Sequence, residues 1–235
     1  MATFDDHIAM IRAVAKAMGP ELCQAVAFVG GCTTALLLTD LYTKQQVRHT
    51  DDVDLIVHAL SYAHWEILKE QLREKGFKEE PVDDAPICAM FLESLRVDFM
   101  PDDAEILKFG NAWYRDALES ADLRDIGEGV TIKIVQPAHF VATKLAAYLS
   151  RGNNDPLESK DVEDILTLID GRSEITDEIL YANPEMRAYI SAQLSELKKH
   201  RDFDYAVESA SNGDAAREEA INKRVDLVVS FAKLT

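Results

Sequence analysis

Two aspartates, Asp52 and Asp54, stand two residues apart in the segment T-D-D-V-D-L-I-V, whose composition is typical of a β-strand. Alternate residues of a strand point to the same face, so we expect both carboxylates to project together while Val53 and Leu55 face the other way. Neighbouring carboxylates repel each other unless a cation neutralises them. Because Mg²⁺ prefers oxygen ligands, the pair is a candidate magnesium site, although a solvent-facing acidic strand end is the alternative.

A third acid, Asp98, lies in the alternating segment L-R-V-D-F-M, where it shares a face with Arg96. Adjacent strands lie about 4.8 Å apart, so Asp98 can reach the same ion as Asp52 and Asp54 if the two strands pair. Asp98 is then a third metal ligand or a general base for an attacking hydroxyl. The structural alternative is an ion pair between Asp98 and Arg96.

The pair Gly30-Gly31 turns the chain between an apolar strand and a helix. Glycines permit close backbone approach to a phosphate, and a helix beginning there would add free N–H groups, with Thr33 or Thr34 supplying hydroxyl donors. A plain strand-to-helix turn explains the same residues. The segment is neither the dinucleotide-binding G-x-G-x-x-G motif nor a P-loop.

Lys144 is the one charged residue in the apolar helical stretch V-A-T-K-L-A-A-Y-L. Downstream, Lys160, Asp161 and Asp164 share a second helix, where Lys160 and Asp164 have i,i+4 spacing. A functional interpretation places Lys144 and Lys160 against a triphosphate. The structural alternatives are a solvated, salt-bridged face and a lysine that reaches the surface along its own stem.

The composition limits the class of protein. Of 235 residues, 47% are hydrophobic, the formal net charge is -17, and three cysteines are widely spaced. The charge argues against broad binding to nucleic acid, and the cysteine spacing argues for reduced thiols in the cytosol. The N-terminal sequence lacks the features of a signal peptide, and no apolar run is long enough to span a membrane. We therefore expect a cytoplasmic protein.

The periodicity predicts an α+β fold: a core with a short mixed sheet at 1–135 and a helical domain at 136–235 that completes the cleft. The core elements that we expect are a helix at 5–18, a strand at 25–29, a helix at 33–41, a loop at 42–50, a strand at 52–57, a helix at 61–75, a hairpin of strands 87–92 and 95–100, mostly helix at 102–124 and a strand at 130–135.

The order of these motifs resembles the nucleotidyltransferase superfamily with a polymerase-β-like core. The resemblance rests on the segments G-G, then T-D-D-V-D-L-I-V, then an isolated V-D-F. The later segments A-T-K-L-A-A-Y-L-S-R and S-K-D-V-E-D-I-L are similar to the AbiEii-type branch, which includes toxins of toxin–antitoxin systems. The resemblance covers about residues 25 to 170.

The resemblance implies a Mg²⁺-dependent enzyme that moves an NMP from an NTP to a hydroxyl on RNA such as tRNA, or on protein, with an antitoxin as a partner. Two alternatives stay open, namely transfer to a small molecule and a non-catalytic module that binds a nucleotide or a partner. The implied catalytic residues are Asp52, Asp54, Asp98, Lys144 and Asp164, the first three as metal ligands. The implied nucleotide-binding residues are Gly30, Gly31, Thr33, Thr34 and Lys160.

Overall fold

The computed structural model describes residues 4–80, 86–108 and 110–234, and these residues form an α+β fold. Six strands in this part of the chain form one mixed sheet, in the order β3-β4-β2-β1-β6-β5. The strands are β1 (Val26–Val29), β2 (Asp52–Val57), β3 (Ala89–Leu92), β4 (Leu95–Pro101), β5 (Asp122–Asp125) and β6 (Thr131–Ile134). The short mixed sheet that the sequence predicts is therefore present.

Helices are interspersed with the strands along the chain up to residue 136, and in the described residues 137–234 helices follow one another without strands. They are α1 (Phe4–Ala25), α2 (Thr34–Leu37), α3 (Leu41–Gln46), α4 (Tyr62–Glu74), α5 (Ala104–Leu107), α6 (Tyr114–Glu119), α7 (Pro137–Arg151), α8 (Lys160–Gly171), α9 (Ile175–Tyr181), α10 (Pro184–Lys198), α11 (Phe203–Ala210) and α12 (Ala215–Ser230).

The chain divides into two compact units that are not simple halves. The first unit comprises residues 1–35 and 48–136, and the second comprises residues 36–47 and 137–235. The segment 36–47, expected in the first domain, thus belongs to the helical unit. The chain leaves the first unit just after the Gly30-Gly31 turn and returns just before β2.

In the first unit, β2 lies between two neighbours in the sheet. It pairs antiparallel with β1 and parallel with β4, and the latter register sets Asp54 directly beside Asp98. Val53 and Leu55 of β2 are fully buried, while the two aspartates of this strand are only half-buried. The alternation expected from the sequence is therefore present in β2, and the apolar side chains anchor the strand that carries the acids.

Helix caps account for several boundaries that the sequence predicts. The Ser61 hydroxyl accepts a hydrogen bond from the His64 N–H at the start of α4, and Ser159 does the same for Val162 at the start of α8. In α1, Gly19 has the non-helical angles φ 78° and ψ 169°, so the predicted stop is present as a kink. Helix resumes at Pro20, since proline is tolerated in a first helical turn.

The region 33–50 differs from the expectation of one long helix followed by a loop. A 3₁₀ turn precedes α2, which has four residues, and the predicted loop contains α3. Asp40 begins α3 by accepting a hydrogen bond from the Thr43 N–H at 2.8 Å. The sequence L-Y-T-K-Q-Q did not predict this helix, because its residues form no apolar stripe.

The region 102–124 is only partly helical. It contains the short helices α5 and α6, and its end enters β5, an edge strand that pairs with β6. All four residues of β5 are exposed, so the strand lacks the alternation of apolar and polar residues that would identify it in the sequence. Its backbone pairing with β6 defines it instead.

Candidate metal centre

Asp52, Asp54 and Asp98 converge on one face of the sheet in the first unit. One carboxylate oxygen from each lies within 4.8 Å of the other two. The cause is the parallel pairing of β2 with β4, which places Asp98 beside Asp54, together with the two-residue spacing of Asp52 and Asp54. Asp98 is 5% exposed, so the cluster has a buried side and an open side.

A guanidinium group already contacts two of these acids. Arg96 donates from Nε to Asp98 Oδ1 at 3.0 Å and from Nη2 to Asp98 Oδ2 at 2.7 Å, while Nη2 lies 3.2 Å from Asp52 Oδ2. The hydrogen bond to Asp98, more than any other influence, raises the pKa of Arg96 above its usual value. The structural alternative for Asp98, an ion pair with Arg96, is thus present alongside the three-acid cluster.

Thr50 adds a hydroxyl to the cluster that the sequence analysis did not single out. Its Oγ1 donates a short hydrogen bond to Asp52 Oδ1, and the residue itself is buried. The two-residue spacing from Thr50 to Asp52 was the available signal, since extended backbone places such residues on one side of the chain. Thr50 fixes the direction of one of the three carboxylates.

The glycine turn makes room for Asp54. Gly30 has φ 81° and ψ -172°, a conformation available essentially only to glycine. A Cβ at this position would lie 1.8 Å from Asp54 Oδ2, well inside van der Waals contact. Gly30 is therefore required for the position of a carboxylate, which is a more specific role than the phosphate cradle expected from the sequence.

The neighbouring positions of the turn differ in how they could meet a phosphate. A Cβ on Gly31 would lie 2.4 Å from Arg48 Nη2, so a guanidinium lies against this glycine. The Thr33 hydroxyl donates to the Gly30 carbonyl at 2.8 Å, and the Thr34 hydroxyl has no hydrogen-bond partner within the described residues. Because both threonines are completely buried, a direct contact with a phosphate would need local movement.

The helix behind the turn is shorter than the sequence suggests. Since α2 has only one turn, its aligned peptide dipoles are too few to act as the long helix that we expected behind the glycines. The positive charge beside the turn comes from the Arg48 side chain.

The thiol of Cys88 is affected by burial and by the negative charges of the cluster. It is buried, and burial followed by the charges of Asp98 and Asp54 raises its pKa to about 12. The thiol therefore stays protonated at neutral pH and is a poor nucleophile.

Lys144 and Asp164 lie in the second unit, where they form a buried ion pair. Lys144 Nζ lies 2.6 Å from Asp164 Oδ2 and 3.1 Å from Asp161 Oδ1, and Arg151 also binds Asp161. All three members of this Lys–Asp–Asp group are at most 6% exposed. Lys160 stands apart from them as an exposed residue at the start of α8. The charge in the apolar helix α7 thus has local partners in α8.

Neither of the comparisons with known proteins identifies a relative. A scan against models of protein families and a search of curated proteins both found no match. Among the described helices, none is both long enough and apolar enough to cross a membrane.

Proposed function

We propose that this protein is a Mg²⁺-dependent nucleotidyltransferase with a polymerase-β-like core, which moves an NMP from an NTP to an acceptor hydroxyl. The observation that carries the proposal is the convergence of Asp52, Asp54 and Asp98 within 4.8 Å on two parallel strands. The glycine turn that admits Asp54 lends support, because the order of turn, acid pair and third acid is the order on which the family resemblance rests.

The donor set suits Mg²⁺ by its chemistry. All three groups are carboxylates, the oxygen ligands that this ion prefers, and ligands of one Mg²⁺ lie at most about 4.2 Å apart because each bond is about 2.1 Å. The three oxygens lie within 4.8 Å of one another, so small side-chain movements would bring them to the spacing that one ion requires. Arg96, a cation of the protein itself, already contacts two of the acids, which supports the inference that the three carboxylates need a positive charge to neutralise them.

In the proposed reaction, the acceptor oxygen attacks the α-phosphorus and the bond from this phosphorus to the bridging oxygen of the β-phosphate breaks. Pyrophosphate leaves with the electron pair, and the hydroxyl proton passes to Asp98. Asp52 and Asp54 would hold Mg²⁺, with Asp98 as the third ligand. When bound, Mg²⁺ supplies Lewis-acid stabilisation of the charge on the phosphoryl oxygens. Arg48 lies beside the glycine turn, where it can offset phosphate charge.

The acceptor that we favour is RNA such as tRNA, or a protein, as in the toxin branch that the motifs resemble. An antitoxin would then be a partner. The roles of Lys144, Asp164 and Lys160 in such a reaction stay predictions, since the first two are engaged with each other inside the helical unit. With a net charge of -17, a nucleic-acid acceptor would have to bind at a local basic surface.

The test is a labelling experiment. Purified protein, Mg²⁺ and each α-³²P-labelled NTP are incubated in turn with total RNA and with cell lysate. We expect label in a macromolecule, and we expect Asp54→Asn to reduce the labelling by about a hundredfold or more because the metal loses a ligand. The matched control is Asp51→Asn, which removes an exposed carboxylate next to Asp52 and should label normally.

The destination of the label decides among the alternatives. Label in a low-mass product would assign a small-molecule acceptor. Full labelling by the Asp54→Asn variant would contradict the proposed site, and the absence of label in every fraction with the folded wild-type protein would contradict the proposed activity.

A further inference from the structure

Arg96 lies where a metal ion would need to contact the acids. Its guanidinium forms a two-point contact with Asp98 and also reaches Asp52, so one group links β4 to β2 across the open side of the cluster. The register explains the contact, because Arg96 is paired with Asp52 in the same parallel ladder that pairs Asp98 with Asp54. The protein itself therefore supplies a cation to this cluster.

We propose that Arg96 is an internal counterion that competes with the divalent cation for Asp52 and Asp98, and that it is released to bind the triphosphate. The proposal rests on the proposed function, since it assigns a substrate-binding role at the same site. Its consequence is that metal and triphosphate bind firmly only together, which makes Arg96 a specificity-determining residue for the complex of the two.

Competition follows from the atoms involved. The oxygen Asp98 Oδ2 lies 2.7 Å from Arg96 Nη2, and a divalent ion bound to the same oxygen would be repelled by the guanidinium at such a distance. Charge-assisted hydrogen bonds are among the stronger ones in proteins, so their loss offsets part of the affinity for the ion. Free metal should therefore bind less well than three carboxylates alone would allow.

Release onto a phosphate follows from the exposure and chemistry of the side chain. The Arg96 side chain is 37% exposed, whereas that of Asp98 is 7% exposed, so the arginine has much more room to turn toward solvent than the carboxylate has. A planar guanidinium binds phosphate oxygens in the same forked geometry that it uses for a carboxylate. A triphosphate that arrives with the metal can bind the guanidinium when the metal displaces this group from the carboxylates.

The experiment measures two affinities that should change in opposite directions. Free Mn²⁺ is titrated and followed by electron paramagnetic resonance, and the preformed complex of Mn²⁺ with inorganic tripolyphosphate is titrated by calorimetry. In Arg96→Gln, we expect free Mn²⁺ to bind about tenfold more tightly and the complex to bind about tenfold more weakly than in the wild type, as for the loss of one charge-assisted contact in each case.

The matched control is Arg73→Gln. Arg73 also bridges two carboxylates, those of Glu70 and Glu79, and its side chain is 38% exposed. The variant also removes one positive charge from the first unit. It therefore measures how much of the change in affinity in Arg96→Gln comes from the general attraction of a more acidic protein for cations. We expect both of its affinities to match the wild type.

A second variant guards against misfolding of the first. Arg96→Lys keeps the charge but loses the fork, so its affinity for free Mn²⁺ should fall between those of the wild type and Arg96→Gln. The competition is wrong if neither variant binds free Mn²⁺ more tightly than the wild type, or if Arg73→Gln shows an equal gain. The role toward phosphate is wrong if Arg96→Gln binds the complex as tightly as the wild type does. Because neither titration needs turnover, these outcomes are separate from a failure of the labelling experiment.

Discussion

Gly30 acts through the side chain that it lacks. The turn places its backbone so close to Asp54 that a single added carbon would overlap a carboxylate oxygen, and its φ of 81° adds a conformational cost for any other residue. The glycine therefore determines where one of the three acids lies. Metal-ligand chemistry alone would not identify Gly30 as part of the site, because the residue contributes no ligand atom.

We expect Gly30→Ala to lower the free energy of unfolding by more than about 2 kcal/mol and to abolish Mn²⁺ binding and nucleotidyl transfer, because Asp54 has to move. The measurements are urea unfolding and Mn²⁺ titration. The control is Gly129→Ala, whose φ is 73° but whose added Cβ would meet no atom within 4 Å. This control should cost about 1 kcal/mol and leave Mn²⁺ binding unchanged, and an equal loss of binding in both variants would contradict the role of Gly30.

At the site, the sequence predicted which residues share one face of a strand, but it could not predict which strands lie next to each other. The alternation of Asp52 and Asp54 with buried residues followed from strand geometry alone, whereas Asp98 is itself buried. The pairing of β2 with β4 is a contact between residues far apart in the chain, and no local pattern specifies it. For the same reason, Arg48 beside Gly31 and the double contact of Arg96 became visible only in the folded protein.

At the scale of elements, α7 and α8 are held together by charge as well as by apolar packing. Burial alone would raise the pKa of Asp161, but the hydrogen bond from Arg151 and the charge of Lys144 outweigh it and lower this pKa below the ordinary value of 3.8. A carboxyl group with a lowered pKa in the folded state stabilises the protein above its unfolded pKa. This stabilisation is lost as the pH falls through the lowered value.

We expect Asp161→Asn to lower the free energy of unfolding by about 2 kcal/mol at pH 7, because a buried charge-assisted contact is lost. The difference from the wild type should shrink as the pH falls below about 4, because the wild-type carboxyl then becomes protonated in the unfolded state before it does in the folded state. Urea unfolding at pH 7 and at pH 3 measures it, with Asp51→Asn as the exposed control. A difference that is the same at both pH values would contradict the prediction.

Helices with both a capping residue and an apolar stripe were predicted well, and polar or exposed elements were predicted poorly. Ser61 and Ser159 have side chains that satisfy free N–H groups, and this local chemistry sets the start of α4 and α8. In contrast, β5 is an exposed edge strand, and only its backbone pairing with β6 makes it a strand. The helix α3 has no apolar stripe, and it contacts α8, which is distant in the sequence.

At the scale of the whole molecule, side-chain and backbone hydrogen bonds attach the segment 36–47 to the rest of the helical unit. Arg217 of α12 donates to Asp170 at 2.8 Å and to Asp40 at 3.0 Å, and its guanidinium lies 4.8 Å from the centre of the Tyr42 ring. The backbone N–H groups of Thr39 and Asp40 both donate to the Gly171 carbonyl. These contacts explain why a segment between β1 and β2 packs with residues that follow 137.

We expect Arg217→Met to weaken this attachment and to speed amide hydrogen exchange across 41–46 by about tenfold, as for the loss of about 1.4 kcal/mol of charge-assisted hydrogen bonding. The matched control is Arg201→Met, since the Arg201 side chain is 89% exposed and pairs only with the adjacent Asp202 among its described contacts. Unchanged exchange in Arg217→Met would show that the backbone contacts to Gly171 suffice.

The double passage of the chain through the helical unit has a consequence for synthesis on the ribosome. Residues 36–47 emerge early, but Gly171 and Arg217, with which they pack, are made more than 120 residues later. The acid-bearing strand β2 emerges directly after this segment. A nascent chain therefore exposes this segment before its packing partners have been made, so the order of translation and the order of assembly differ.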